Sequence, residues 1–168
     1  LAVMKEHGVP QWYIDSCIKI QYMFPRAHAV AYTMMSFRMA WYKVYYPLEF
    51  YATYFTSVAG DFNAEVILQG KNAILERMRL IDARGHEATA KDNNEMTVLE
   101  VAYEMYARGY EFKDITLGES EALKFGISDG KVLLPFITLP GMGETAARSF
   151  VDEYDVRPYE TIEEITKR

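Results

Sequence analysis

Hydrophobic positions recur at helical spacing along most of the first 109 residues, and the longest such pattern lies between Pro25 and Pro47. These prolines enclose no Gly or Pro, which leaves room for about five helical turns. Pro25 suits a first-turn position, and Pro47 begins the next helix. Two apolar stripes run between them: Val30, Met34, Phe37, Trp41 and Val44, and beside these Met35, Met39, Tyr42 and Tyr46. Because two stripes need packing on more than one side, we expect this helix to be the centre of a helical domain.

Glycines and prolines delimit the other helices of this region. The predicted helices cover residues 4–7, 11–20, 47–60, 62–84 and 95–108. In the fourth of them we expect Asp61 to be the N-cap and Gly70 to break or bend the helix. Before the fifth, Thr89 and Asp92 have the spacing of a capping box, with Asp in place of the usual Glu.

The pattern changes to short β-prone pieces after Gly109. These pieces cover residues 112–117, 123–127 and 132–134. Asp129-Gly130, between the last two, is the strongest short-range hairpin signal that a sequence offers. We therefore expect a small sheet of two or three strands that connects the helical domain to the C-terminal residues.

The C-terminal region reads PFITLPGMGETAARSFVDEY from Pro135 and has the pattern of a helix-hairpin-helix motif. Two glycines allow a sharp turn, and the N–H groups that begin the second helix can hold a DNA phosphate without reading sequence. The candidate backbone-binding residues are Gly141, Met142, Gly143, Thr145 and Arg148. Many such motifs place Lys or Arg just after the second Gly, but this chain has Glu144 there. We therefore expect weak binding, and a Gly-rich turn between two packed helices is the alternative interpretation.

Net charge is distributed unevenly. The 168 residues carry −6, yet residues 1–60 hold five Lys or Arg against three acidic residues, so this part is at +2 and the remainder at −8. A polyanionic partner should therefore favour the first third of the chain, which also has 14 of the 24 aromatic residues. The lone Cys17 cannot form an internal disulfide, and no apolar run approaches the roughly 18 residues that cross a bilayer. We expect a cytoplasmic protein without a membrane partner, and the first residues, Leu-Ala-Val, indicate an excerpt from a longer chain.

Arg26 and His28 lie at the N-terminal end of the longest predicted helix. A cation is unfavourable there unless an anion meets it, because the helix N-terminus carries unpaired N–H groups and partial positive charge. The two residues are therefore a candidate phosphate site. The alternative is a solvent-facing Arg and a first-turn His that hydrogen-bonds to backbone.

These segments resemble a known family. The fingers region of the C-family bacterial replicative polymerases, specifically the PolC-type DNA polymerase III alpha subunit of low-GC Gram-positive bacteria, is similar to GVPQWYIDSCIKIQYMFPRAHAVAYTMMSFRMAWYKVYYPLEFYATYFT. TVLEVAYEMYARGYEFKDITL and LLPFITLPGMGETAARSFV follow in the order and spacing of the same proteins, so the resemblance covers nearly the whole chain. Residues 24–29, FPRAHA, resemble the family's FPKAHA motif with Arg in place of Lys.

The resemblance implies a template-directed nucleotidyltransferase that extends a primer with deoxynucleotides. In such enzymes two magnesium ions, held by aspartates of the palm domain, activate the primer hydroxyl and stabilise the leaving pyrophosphate. No Asp-x-Asp pair occurs in these 168 residues, so we expect the metal to bind outside them and the fragment alone to be inactive. The sliding-clamp motif that the family carries at its C-terminus is also absent.

The resemblance also implies roles for individual residues. Arg26 and His28 would contact the triphosphate of the incoming nucleotide or the template backbone, with Tyr32 as a neighbour and Arg38 and Lys43 as weaker candidates. The implied organisation is mainly α-helical, with a helical fingers-type domain at 1–109, a small β connector at 110–134 and a truncated helix-hairpin-helix element at 135–168. Palm and thumb of the longer chain, primer–template DNA and deoxynucleoside triphosphate are the implied partners. A non-catalytic DNA-binding module and a helical protein-interaction scaffold are the rival hypotheses.

Overall fold

A computed structural model of the chain describes residues 1–20 and 26–167. Within these ranges the α-helices are α1 (Ala2–Glu6), α2 (Gln11–Lys19), α3 (Arg26–Tyr45), α4 (Pro47–Ser57), α5 (Ala64–Ile67), α6 (Lys71–Asp82), α7 (Ala90–Ala107), α8 (Glu144–Val156) and α9 (Ile162–Lys167). Single 3₁₀ turns lie at Ala59–Asp61, Gly85–Glu87 and Phe136–Thr138. The predicted mainly α-helical fold is confirmed. None of the described helices is long and apolar enough to cross a membrane.

The chain divides into two compact units, Leu1–Ala40 and Trp41–Arg168. The first contains α1, α2 and most of α3, and the second contains the remaining helices and the sheet. Helix α3 runs without interruption through the division, so its last turn belongs to the second unit.

Helix α3 forms where the proline spacing predicts it, but its predicted role as the packed centre of a domain is wrong. No residue of α3 is buried. The side chains of both apolar stripes are exposed, with Phe37 at 74% and Met35 at 53%. Apolar periodicity indicates which surface of a helix avoids water but does not say what covers it. Pro25, predicted for the first turn, lies outside the described residues.

The core of the second unit is arranged around helix α4. Pro47 occupies its first turn, where no backbone N–H is needed. Phe55 of α4 is fully buried, and its ring centroid lies 5.1 Å from that of Phe112, 5.4 Å from that of Phe62 and 5.7 Å from that of Phe125. These edge-to-face and tilted contacts are the favourable geometries for aromatic pairs. They join α4 to the turn before α5 and to the residues around the small sheet.

The segment predicted as one helix over 62–84 is two helices, α5 and α6. Gly70 separates them with a φ of +89°, which a residue with a side chain rarely adopts, so the predicted break is confirmed. The predicted N-cap Asp61 is wrong. It lies in a 3₁₀ turn, and Asn63 caps α5 instead by accepting a hydrogen bond from the Val66 N–H at 3.2 Å.

Helix α7 begins with the predicted capping box. The Thr89 hydroxyl accepts from the Asp92 N–H at 3.1 Å, and the Asp92 carboxylate accepts from the Thr89 N–H at 2.9 Å. Because this cap fixes the first turn at Ala90, the helix starts within the predicted loop of residues 86–94. The two reciprocal bonds satisfy N–H groups that a helix leaves unpaired at its start.

The small sheet consists of β1 (Phe112–Lys113), β2 (Gly126–Ser128) and β3 (Lys131–Leu133) in the order β1-β3-β2. β2 and β3 form the predicted antiparallel hairpin, whereas β1 pairs with β3 in parallel. Asp129 and Gly130 connect the hairpin with φ values of 53° and 72°. Positive φ at both central residues matches the right-handed twist of the flanking strands. The predicted β connector is confirmed.

The C-terminal residues differ from the prediction in one element. The expected first helix, carrying Ile137 and Leu139, is a single 3₁₀ turn at Phe136–Thr138 that ends before Leu139. The glycine corner, residues 140–143, follows it and leads into α8. The prediction of a long second helix is confirmed.

Candidate nucleic-acid interface

The first turn of α3 presents a cation and an aromatic pair. Arg26 is exposed, and no acidic residue lies in the first turn. His28 is half-buried, and its ring centroid lies 4.3 Å from that of Tyr32, one turn further along. Tyr32 is thus the predicted neighbour of His28, and it is itself 65% exposed. The arrangement offers a positive charge and a flat aromatic surface at the end of a helix where an anion is favourable.

The three cations of α3 differ in their surroundings. No Asp or Glu occurs between Arg26 and Tyr46. Arg38 is exposed, whereas Lys43 forms a salt bridge with Glu104 at 2.8 Å and lies 5.4 Å from the centre of the Phe50 ring. Since the Lys43 ammonium is held by internal partners, Arg26 and Arg38 are the cations that α3 offers to a ligand.

A network that the sequence did not reveal surrounds Lys43. The Tyr51 hydroxyl donates to the Glu104 carboxylate at 2.7 Å, and Arg108 Nη1 donates to the same hydroxyl at 2.9 Å. Burial and the hydrogen bond to Glu104 raise the pKa of Tyr51 to about 12. Burial acts to raise the pKa of Glu104, but hydrogen bonds from Lys43 and Tyr51 outweigh it and lower that pKa. Glu104 and Arg108 share one face of α7 by their spacing of four, which was the available sequence signal.

The glycine corner has one glycine that its backbone requires and one that it does not. Gly141 has a φ of +81°, which strains any residue with a side chain. Gly143 is the N-cap of α8 with φ −88° and ψ 161°, and a Cβ there would meet no atom within 4 Å. No side chain caps α8, so the N–H groups of its first turn are left for another partner. Thr145 is exposed, and Met142 is half-buried.

Arg148, the predicted cation of the corner, is paired locally. Its guanidinium donates to Glu144 at 2.9 Å and 3.1 Å, and both side chains are exposed. Glu144 itself suits the first turn of a helix, where negative charge is favourable. The pair adds no net positive charge to the corner, which agrees with the expectation of weak binding.

A cavity of about 550 Å³ lies behind the corner and is lined in part by Gly141 and Met142. Its charged lining consists of Asp61, Glu65, Arg77, Lys91, Asp92 and Glu95. Because four carboxylates face two cations, the cavity repels phosphate, and an anion would approach the corner from its outer side. Among the residues that the structure describes, no three His, Cys, Asp or Glu side chains are placed to hold a metal ion.

An ion-pair network in this cavity also had no signal in the sequence patterns. Arg77 donates to both oxygens of buried Glu95, at 2.9 Å and 2.6 Å, and the Asn63 amide donates to Glu95 at 2.7 Å. Arg84 donates to Asp92 at 2.7 Å. The hydrogen bond from Arg77 lowers the pKa of Glu95 against the effect of burial. Backbone and side-chain hydrogen bonds from the capping Thr lower the pKa of Asp92 to about 2.

The fold and these surfaces define a helical protein that exposes an aromatic, cation-bearing helix in one unit and an uncapped glycine corner in the other. No protein-family profile matches the chain. Curated relatives do: it is 50% identical over 165 residues to DNA polymerase III PolC-type of Caldanaerobacter subterraneus, 47% over 151 residues to that of Clostridium perfringens, and 44% over 165 residues to that of Bacillus subtilis.

These alignments cover 98%, 90% and 98% of the chain. They cover only 10–12% of the length of the relatives. Identity at this level along nearly the whole chain shows that it is homologous to one segment of the PolC-type DNA polymerase III proteins.

Proposed function

We propose that the chain is a segment of a bacterial replicative DNA polymerase, acting in the cytoplasm at the nucleoid in template-directed deoxynucleotidyl transfer. The homology to PolC-type DNA polymerase III supports this function. Palm and thumb regions of the longer chain supply the rest of the active site, and sliding-clamp binding belongs to residues outside the segment. Magnesium and the aspartates that bind it are assigned to those other regions, and the residues of this segment bind and orient the substrates.

The role we propose for α3 is to contact the triphosphate of the incoming nucleotide or the template backbone. The observation that carries it is the exposed Arg26 beside the His28–Tyr32 ring pair, at the start of a helix without acidic residues. Arg26 would neutralise phosphate charge, and the N–H groups of the first turn would add hydrogen bonds. Helix α3 would thereby position the nucleotide rather than take part in bond formation.

Replacing Arg26 with Ala should raise the nucleotide KM. In a full-length PolC-type polymerase carrying residues 1–168 in place of its own segment, we expect a KM increase on the order of tenfold, because one charge-assisted contact contributes about 1.5–3 kcal/mol. Steady-state single-nucleotide incorporation measures it. Arg79→Ala is the matched control, since its side chain is 76% exposed on α6 and no ligand contact is proposed for it. Equal kinetics for the two variants would remove Arg26 from the site.

The glycine corner is proposed to bind duplex backbone without sequence preference, using the N–H groups that begin α8. Gly141 provides the turn, and Gly143 leaves the approach to those N–H groups open. Thr145 and Arg148 lie beside the approach, although the pairing of Arg148 with Glu144 limits its contribution. Because backbone contacts are electrostatic, binding should weaken steeply with salt.

Gly143→Val should weaken duplex binding by the 168-residue chain severalfold while leaving its fold intact. The backbone of Gly143 lies in the extended region that Val favours, so the new side chain blocks the phosphate approach without strain. Fluorescence anisotropy with a random-sequence duplex at two salt concentrations measures it. Gly60→Val is the control, because Gly60 also lacks a positive φ and has open space around its Cβ position. Tight binding to one sequence at physiological salt, or equal loss in both variants, would contradict the proposal.

A helical protein-interaction scaffold is the second candidate function. The exposed apolar side chains of α3, among them Phe37 at 74%, favour it because large apolar surfaces usually mark contacts with another protein surface. The Arg26→Ala experiment separates the candidates, since a scaffold role leaves the nucleotide KM unchanged.

A further inference from the structure

The carbonyl of Lys43 in the last turn of α3 has lost its normal helical donor. In an α-helix this oxygen would accept from the N–H four residues later, but that residue is Pro47, which has none. The preceding carbonyl of Tyr42 is still satisfied by the Tyr46 N–H at 2.8 Å. Arg108 of α7 supplies the missing bond, since its Nη2 donates to the Lys43 carbonyl at 3.0 Å.

Arg108 is itself held in place by several contacts. Its Nη1 donates to the Tyr51 hydroxyl at 2.9 Å, and its guanidinium lies 5.7 Å from the Tyr51 ring centre and 5.4 Å from that of Tyr110. Tyr51 is fully buried and donates to Glu104, which also binds the Lys43 ammonium. Helices α4 and α7 therefore hold both the carbonyl and the side chain of one residue in the last turn of α3. A planar fork with two donors at a fixed angle is needed for this double contact, and Lys cannot replace it.

We propose that Arg108 is a positioning residue for nucleotide binding, acting through the last turn of α3. The inference rests on the proposed function of the first turn of the same helix. The helix axis from Arg26 to Lys43 is about 26 Å long at ~1.5 Å per residue. A change of about 5° in its direction displaces the first turn by about 2 Å, and a misplacement of about 1 Å can cost up to ~100-fold in rate. Loss of the anchor would therefore be felt at Arg26 without any direct contact to the ligand.

The test compares two arginine variants of α7 and its approach in the same full-length polymerase. Arg108→Ala should raise the nucleotide KM and lower kcat/KM on the order of tenfold. The primer–template Kd should remain within about twofold. Arg84→Ala is the matched control, because Arg84 also loses one ion pair to α7, at 2.7 Å to Asp92, yet has no contact with α3. It should lower the thermal midpoint without changing the nucleotide KM. Arg108→Lys should be intermediate, since one ammonium cannot serve the Tyr51 hydroxyl and the Lys43 carbonyl together.

The outcomes separate this inference from the function on which it rests. A raised KM in Arg26→Ala with an unchanged KM in Arg108→Ala would overturn the positioning role and leave the proposed function standing. Unchanged KM values in both variants would remove the proposed function as well. Equal KM changes in Arg108→Ala and Arg84→Ala would reduce Arg108 to a residue of general stability and also overturn the proposal.

Discussion

Replacing Phe55 with Ala is expected to lower the free energy of unfolding of the chain by about 3–5 kcal/mol. Phe55 is fully buried, and its ring contacts those of Tyr51, Phe62 and Phe125. Removing it loses the transfer free energy of a large apolar side chain and leaves a cavity that the surrounding rings cannot close. Urea unfolding followed by circular dichroism measures the change.

Phe37→Ala provides a matched control for this prediction, because it deletes the same side chain at a position 74% exposed on α3. We expect its effect to lie within about 0.5 kcal/mol. If Phe37→Ala were as destabilising as Phe55→Ala, the core would have to be centred on α3 and not on α4. The comparison thus tests the arrangement of the core directly.

Replacing Glu95 with Ala is expected to cost about 2–4 kcal/mol, the second-largest effect. The buried carboxylate accepts two hydrogen bonds from Arg77 and one from Asn63, and its loss leaves both donors without their partner. Arg77 is about one-quarter exposed, so water recovers part of the loss. Glu76→Ala is the control, because the Glu76 side chain is 68% exposed and its nearest salt-bridge partner lies 4.0 Å away. Equal urea midpoints for the two variants would contradict the structural role of Glu95.

The same network makes stability depend on pH in a defined direction. Hydrogen bonds from Arg77 lower the pKa of Glu95, and those from Thr89 lower the pKa of Asp92 to about 2. The unfolded chain therefore binds protons at these groups before the folded chain does. Stability from them is fully present above the ordinary carboxyl pKa and is lost as pH falls toward 2. Urea midpoints at pH 7 and pH 3 should differ less in Glu95→Ala than in the unmodified chain.

Local signals in the sequence predicted most of the helices, the hairpin and the capping box. The capping box joins Thr89 and Asp92, and the hairpin needs only Asp129-Gly130, so each depends on residues at most three positions apart. Asn63 outcompeted Asp61 as the N-cap of α5 because the chain after Asp61 first turns through a 3₁₀ segment, and sequence alone does not place that turn.

Contacts between distant residues could not be predicted from local patterns. Arg108 and the Lys43 carbonyl are 65 residues apart, and Asn63 and Glu95 are 32 apart. Pro47 did carry a signal, since any proline deprives the carbonyl four residues before it of a helical donor. Which side chain replaces that donor depends on the packing of α7 against α4. The candidate residues at 26–32 came from a helix-start rule and the FPRAHA motif, and their surroundings needed the structure.

Hydrogen exchange followed by mass spectrometry, on the full-length polymerase carrying this segment, tests the two proposed contact surfaces together. Duplex DNA alone should slow exchange in peptides covering residues 141–147, where the N–H groups of α8 begin. Addition of the matching nucleotide to the primer–template complex should then slow exchange in peptides covering residues 26–32. Exchange at residues 26–32 that stays the same with matching and mismatched nucleotide would contradict a nucleotide-contacting role for the first turn of α3.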